Sequence, residues 1–205
     1  MAPSYKLTYF NLTALGEPIR FLFHYGGIDF VDNRIEKADW PALKPKTPYG
    51  VLPLLEIDGK QVLHQSVAIA RYVAKVVNLV GKNDLENWEI DAAVDTVNDV
   101  RAKLAAAAFE TDETRKAALF ETLKDDTLPF FLSRLDSQAK ANKGYLAVGR
   151  LTWADLFFVG ILDFLNILAQ QDLVAAYPNL QAVRKNVLAI NSIKAWVAKR
   201  PKDQL

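Results

Sequence analysis

The chain has no cysteine anywhere in its 205 residues. This excludes disulfides, thiolate metal sites and a Cys-x-x-Cys redox pair together. Histidine is nearly as scarce, represented only by His24 and His64, so a histidine-rich metal site is not expected, and no metal is assigned. Charge of one sign is not in excess either, since 25 basic side chains stand against 24 acidic ones. No basic block or stripe points to nucleic acid, and no polybasic amphipathic stretch points to a membrane surface. Long apolar runs are missing as well. Hydrophobic residues make up 51% of the chain, yet Asp, Glu, Lys and Arg interrupt them throughout, and no stretch approaches a membrane span. The N-terminus lacks the basic, apolar and small-residue succession of a signal peptide, so a soluble, cytoplasmic protein is expected.

What is present divides into two dissimilar parts. Residues 5–10 (Tyr-Lys-Leu-Thr-Tyr-Phe) suit a short strand, Gly16-Glu17-Pro18 opens a helix that ends near Gly26-Gly27, and residues 30–35 read as a second strand. A strand, helix and strand in succession favour a parallel pair with a right-handed crossover. Residues 36–53 hold Pro41, Pro45, Pro48 and Pro53, which predicts a long surface loop. Leu54 to Ile57, the turn signal Asp58-Gly59 and the residues up to His64 predict a hairpin, with Ser66 as N-cap of a following helix. Residues 78–84 read as a linker. Beyond Leu85 strand signals vanish. A helical period runs through Ile90, Ala93, Val94, Val97, Val100 and Leu104, and residues 111–142 read as a second long helix with a kink or break at Pro129. Thr152-Trp153-Ala154-Asp155 is an acidic capping box before an almost wholly apolar helix to about Ala169, and two shorter helices start at Pro178 and Ser192. No internal repeat is present. The expected class is α/β plus all-α: an N-terminal domain over 1–78 and a helical domain over 85–205.

The βαβ-ββα order resembles a thioredoxin-like domain, and with the helical half behind it the whole chain resembles a glutathione transferase. The residues that carry the resemblance are Tyr5 to Asn11, Ala38-Asp39-Trp40-Pro41, Pro53 to Gly59, His64 to Tyr72, and Leu151 to Asp155. They look most like the sigma class, which includes insect enzymes and the haematopoietic prostaglandin D synthases. The resemblance implies that Tyr9 is catalytic and donates its hydroxyl to the thiol of bound glutathione. A phenol with its ordinary pKa of about 10 is a neutral donor at pH 7, and donation to a thiolate favours the charged, nucleophilic form. On position alone Tyr9 reads first as an aromatic strand residue packed in the core, and it is the rest of the motif that favours the functional reading.

Gln65 and Ser66 stand at a helix N-terminus, where backbone N–H groups and the dipole favour an anion. By resemblance they bind the γ-glutamyl carboxylate, Leu52 before Pro53 pairs with the cysteinyl unit as a strand would, and Trp40 and Lys44 contact the glycyl end. Asp95 and Asp99 lie four apart on one helix face, where like charges repel and solvation is the usual answer. In the family a carboxylate matching Asp99 reaches the glutathione of the partner subunit, so a homodimer is implied, with Arg71 at its interface. The related synthases bind a divalent metal between subunits, but Asn98 replaces one acidic residue of that cluster. Phe10, Leu15, Leu104, Phe157, Ile161 and Leu205 are expected to line an apolar electrophile pocket, although each one singly also reads as core. Leu15 stands where some prostaglandin synthases carry arginine, and Ala105-Ala106 where they place a large aromatic. The expected function is therefore conjugation of glutathione, a co-substrate rather than a cofactor, to apolar electrophiles. Prostaglandin isomerisation and a non-catalytic, crystallin-like role are the alternatives.

Overall fold

The structure, a computed structural model, describes residues 2–201. By compactness it divides into two units, residues 1–79 with 188–205, and residues 80–187. The first unit opens as the sequence predicts, with strand β1 (Tyr5–Phe10), helix α1 (Glu17–Gly26) and strand β2 (Val31–Ile35). β1 and β2 run parallel. The region expected to be a loop instead contains short helical turns, among them helix α2 (Trp40–Leu43). Its proline explains the difference: Pro41 occupies the first turn of α2, where a missing N–H costs nothing.

Strands β3 (Leu54–Ile57) and β4 (Gln61–His64) form the hairpin, and helix α3 (Ser66–Val76) follows. Asp58 and Gly59 have φ of 53° and 66°, the left-handed pair that a tight hairpin turn of this kind demands. The sheet order is β2-β1-β3-β4. Along β1 the odd-numbered side chains Tyr5, Leu7 and Tyr9 are all buried. The Tyr5 ring lies 5.2 Å from Phe23, so this is the face that α1 covers. Leu7, Ile19, Phe21, Leu22, Phe23, Leu55, Ile69 and Val73 complete that core. Each contributes about 1.5–3 kcal/mol of burial. A slip of one residue in β1 would move its whole apolar set to the other face, which is why the register is firmly set.

The second unit is helical: α4 (Asp84–Ala108), α5 (Glu113–Thr122), α6 (Leu128–Ala141), α7 (Trp153–Ala169) and α8 (Pro178–Leu188). The long helix expected over 111–142 runs as α5, a π-helical stretch at Leu123–Thr127 and α6, with helical backbone at both junctions, and Pro129 follows two residues after the π-helical stretch. α7 is buried along nearly its whole length. Its N-terminus is closed by the side chain of Asp155, which accepts from the N–H of Thr152 at 2.8 Å, the N–H of Leu146 at 2.7 Å and the hydroxyl of Thr152 at 3.2 Å.

The last helix, α9 (Asn191–Lys199), groups with the first unit and not with the helices that precede it. The seam falls near residue 79, and residues from 188 onward group with the first unit rather than with the helical one. The reason is local: Trp196 stacks on His24 of α1 with ring centroids 4.3 Å apart, and its Nε1–H donates to Glu17 at 2.7 Å.

Candidate functional site

Strand register gathers the first site residues at one end of the sheet. Thr8 pairs with Leu54 across the antiparallel β1–β3 ladder, and Leu54 pairs with His64 across β3–β4. Tyr9 and Phe10 at the end of β1, Leu52 and Pro53 at the start of β3, and Gln65 and Ser66 after β4 therefore share that end. The parallel strand β2 brings Arg34 and Ile35 beside Tyr9 and Phe10, and the chain then runs on to α2. Phe10 meets Trp40 edge-to-face at 5.8 Å, which ties α2 to the same region. Lys44 is exposed and lays its stem over Gly50, where a Cβ would come within 3.3 Å of Lys44 Cε. The Leu52–Pro53 peptide is cis, with Pro53 buried.

Tyr9 is buried on the α1 side of the sheet. Gly16 backs its ring so closely that a Cβ there would lie 2.7 Å from Tyr9 Cδ1. Only glycine permits that approach, so the sequence element Gly16-Glu17-Pro18 starts a helix and seats Tyr9 together. Tyr5 lies on the same strand face, but burial first, and then a hydrogen bond with Tyr72, pushes its hydroxyl up to about 12. Tyr5 is thereby kept neutral and committed to Tyr72.

Ser66 is the first residue of α3 rather than its N-cap. Gln65 takes the cap position, since its carbonyl accepts the first helical bond, from Ile69 N–H at 2.9 Å. Gln65 has φ 71° and ψ 108°, a backbone conformation that side-chain-bearing residues rarely adopt, and its side chain makes no cap. No acidic residue lies in the first turn of α3. The N–H groups of Ser66, Val67 and Ala68 precede the first bond of the helix, and among the described residues no side-chain cap closes them. This end of α3 offers donors and a positive dipole end to an anion.

The remaining expected residues divide by unit. Phe10 and Leu15 are half-buried in the first unit, and Leu15 lies in a short turn before α1. Leu104, Phe157 and Ile161 are fully buried on α4 and α7 of the second unit. Leu205 lies outside the described residues. Asp95 and Asp99 are exposed on α4, and Arg71 is half-buried on α3. A cavity of about 330 Å³ at the ends of β1 and β2 is lined by Phe10, Asn11, Leu12 and residues 35–38. A larger one, about 440 Å³, opens on the other face of the sheet. It holds none of the expected residues, and its polar floor is self-satisfied, with Lys6 on Glu56 at 3.3 Å and Asn33 on Thr8 at 3.1 Å.

Sequence reasoning passed over the buried charged residues behind Tyr9. Glu17 and Arg20 are fully buried, and both belong to one hydrogen-bonded set with Asp32, Arg34 and Trp196. The i, i+3 spacing of Glu17 and Arg20 on α1 was the one available signal. Nothing local announces that Asp32 and Trp196 complete the set from distant positions.

Family profiles match both halves of the chain. The profile for the glutathione S-transferase N-terminal domain matches residues 16–76, and that for the C-terminal domain matches residues 98–200. A glutathione S-transferase of Anopheles gambiae is 51% identical over 199 residues, which cover 97% of this chain and 98% of that one. The haematopoietic prostaglandin D synthase of Rattus norvegicus is 40% identical over 99% of this chain and 100% of its own. The solved structure of a prostaglandin synthase D of Nilaparvata lugens superimposes with a TM-score of 0.93 at 44% identity, covering 98% of this chain and all of that one (100%). On the fold, the profiles and these relatives, the chain belongs to the glutathione S-transferase family.

Proposed function

We propose that this chain conjugates glutathione to apolar electrophiles, as a cytoplasmic homodimeric detoxifying enzyme of the sigma class. The observation that carries the reading is the convergence of Tyr9, Leu52-Pro53 and the uncapped start of α3 at one end of the sheet. Glutathione is a peptide with a carboxylate at each end and a thiol between them. Its γ-glutamyl carboxylate takes the free N–H groups at Gln65-Ser66, and its cysteinyl unit pairs with the backbone of Leu52 as an added strand. Trp40 and Lys44 hold the glycyl carboxylate. In the dimer, Asp99 of one subunit faces the glutathione of the other.

The thiol then lies beside Tyr9. The phenol donates a hydrogen bond to sulfur, the thiol proton leaves to solvent, and the ionised form is favoured. The thiolate attacks carbon. In substitution the new C–S bond forms as the leaving group departs with its electron pair, and in conjugate addition the carbanion takes a proton from solvent. Phe10 and Leu15 offer apolar surface to the electrophile in the first unit. Holding both reactants together removes the entropy of encounter and adds to thiol activation.

A second reading, glutathione-dependent isomerisation of a prostaglandin endoperoxide, is favoured by the names of two relatives. Leu15 and Ala105-Ala106 depart from the pattern of those synthases, so conjugation is preferred. The test is conjugation of glutathione to a model aryl halide by the native chain and by Tyr9→Phe. Turnover by the native chain with loss of about 10²-fold in kcat/KM for the variant is expected, the usual scale for one positioned donor. No turnover of any electrophile by the native chain would end the reading, and an unchanged rate in the variant would remove Tyr9 from it.

A further inference from the structure

We infer that Arg20 and Arg34 are positioning residues for Tyr9, which tether the turn behind it to a buried network ending on the C-terminal helix. The inference rests on the role given to Tyr9 above. The turn in question is Asn11-Leu12-Thr13. Its backbone bonds include Leu12 N–H donating to the Phe10 carbonyl at 2.8 Å, and Gly16 and Glu17 N–H donating to the Thr13 carbonyl at 3.1 and 3.0 Å. Two guanidinium groups grip it from the side. Arg20 Nη1 donates to the Leu12 carbonyl at 2.9 Å, and Arg34 Nη1 donates to Asn11 Oδ1 at 3.1 Å. Arg34 is also the residue opposite Tyr9 in the parallel β1–β2 ladder.

Neither arginine is free to wander. Asp32 holds both, with Oδ1 accepting from Arg20 Nε and Oδ2 from Arg34 Nε, each at 2.9 Å. Glu17 accepts from Arg20 Nη1 at 3.1 Å on one oxygen. Its other oxygen accepts from Trp196 Nε1 at 2.7 Å and Arg200 Nη1 at 3.0 Å. The side chains of Arg20 and Glu17 are fully buried, and Arg34 and Asp32 are mostly so. A chain of charge-assisted bonds therefore runs from α9 through α1 and β2 to the two residues after Phe10.

Stability alone is a poor reason for this network. Buried ion pairs give back in attraction about what desolvation takes, and apolar replacements of equal volume serve as well or better. What the network supplies is direction. Each planar guanidinium reaches the turn through Nη1 while Asp32 holds its Nε, so the donor to the turn is set in direction. The Tyr9 ring shares that rigidity, because the point where a Gly16 Cβ would stand is 2.7 Å from Tyr9 Cδ1 and 3.1 Å from Arg20 Nη1. Arg20 thus borders the backbone on which the catalytic ring leans. The position of the hydroxyl matters steeply, since a misplacement of about 1 Å can cost on the order of 10²-fold in rate.

The test uses the full-length chain in the aryl halide assay, with kcat, KM for glutathione, and the pH profile of kcat/KM measured for Arg34→Lys, Asn11→Ala and Trp196→Phe. Arg34→Lys keeps the charge and loses the fork. Trp196→Phe keeps the stack on His24 and loses the donor to Glu17, and it serves if changes at the arginines prevent folding. A displaced Tyr9 lowers kcat by roughly fivefold or more while KM for glutathione changes by less than about twofold. It also shifts the thiol inflection of the pH profile upward. Variants that melt earlier but keep kcat and the native inflection would show the network to be structural only and overturn the inference. If Tyr9→Phe itself leaves rate and inflection unchanged, the role of Tyr9 fails, and this inference with it. A native response at Tyr9 with silent network variants overturns the network alone.

Discussion

The chain starts two helices in opposite ways. At α7 the molecule closes the helix start itself: Thr152 and Asp155 form a capping box, and the wholly buried Asp155 also takes the N–H of Leu146. At α3 the cap residue Gln65 is exposed, its φ is 71°, and no side chain closes the first turn. The same backbone chemistry thus serves folding in one place and leaves donors available in the other. An unmet donor at a surface costs little while water serves it, and a carboxylate that displaces that water gains the dipole and hydrogen bonds together.

The most severe way to break the comparison is to open the closed end. Asp155→Ala strands buried N–H groups and should lower stability by about 2–4 kcal/mol in urea unfolding, while glutathione binding by the folded fraction stays unchanged. The pH dependence has a definite sign. Burial pushes the Asp155 carboxyl from 3.8 up to about 6, against the pull of its donors. A folded-state pKa above the unfolded one means the native chain binds the extra proton. The stability due to Asp155 is therefore fullest below about pH 4 and declines as pH rises towards 6, so the gap between the native chain and Asp155→Ala should narrow over that window.

The converse change closes the open end. Ala68 stands at the third helical position of α3, as Asp155 does in α7. Ala68→Asp should stabilise the chain by about 0.5–1 kcal/mol yet weaken glutathione about tenfold in calorimetry, because a built-in carboxylate competes for the same donors. Gln65→Gly should also separate the two properties. Relief of the positive φ adds about 1 kcal/mol to stability, read as a higher urea midpoint, while loss of the side chain raises KM for glutathione. The smallest effect belongs to the rim. Lys44→Ala removes an exposed charge, worth at most about 1 kcal/mol, so KM should rise less than about fivefold and the change should fade in high salt.

How legible these features were depended on how far their causes reach along the chain. The Asp155 box and the Asp58-Gly59 turn are written within four residues, and both appear where the sequence places them. The short helical turns of residues 37–46 were hidden, because a proline that breaks a helix interior also suits its first turn. The cap of α3 was misplaced by one residue, since Ser66 has the preferred side chain but Gln65 has the carbonyl that accepts the first bond. Tyr9, Gln65 and Ser66 were singled out through resemblance, whereas their convergence follows from strand register, which no local pattern reveals. The Glu17–Trp196 bond joins residues 179 apart, and no short-range signal carries it.

The open start of α3 is the proposed seat of the γ-glutamyl carboxylate. Calorimetric titration of the native chain with glutathione, and with the analogue whose γ-glutamyl α-carboxylate is an amide, tests it directly. Charged hydrogen bonds of about 1.5–3 kcal/mol predict that the amide binds at least tenfold more weakly, with the deficit largely absent in Ala68→Asp. Equal affinity of the native chain for the two ligands would contradict the account.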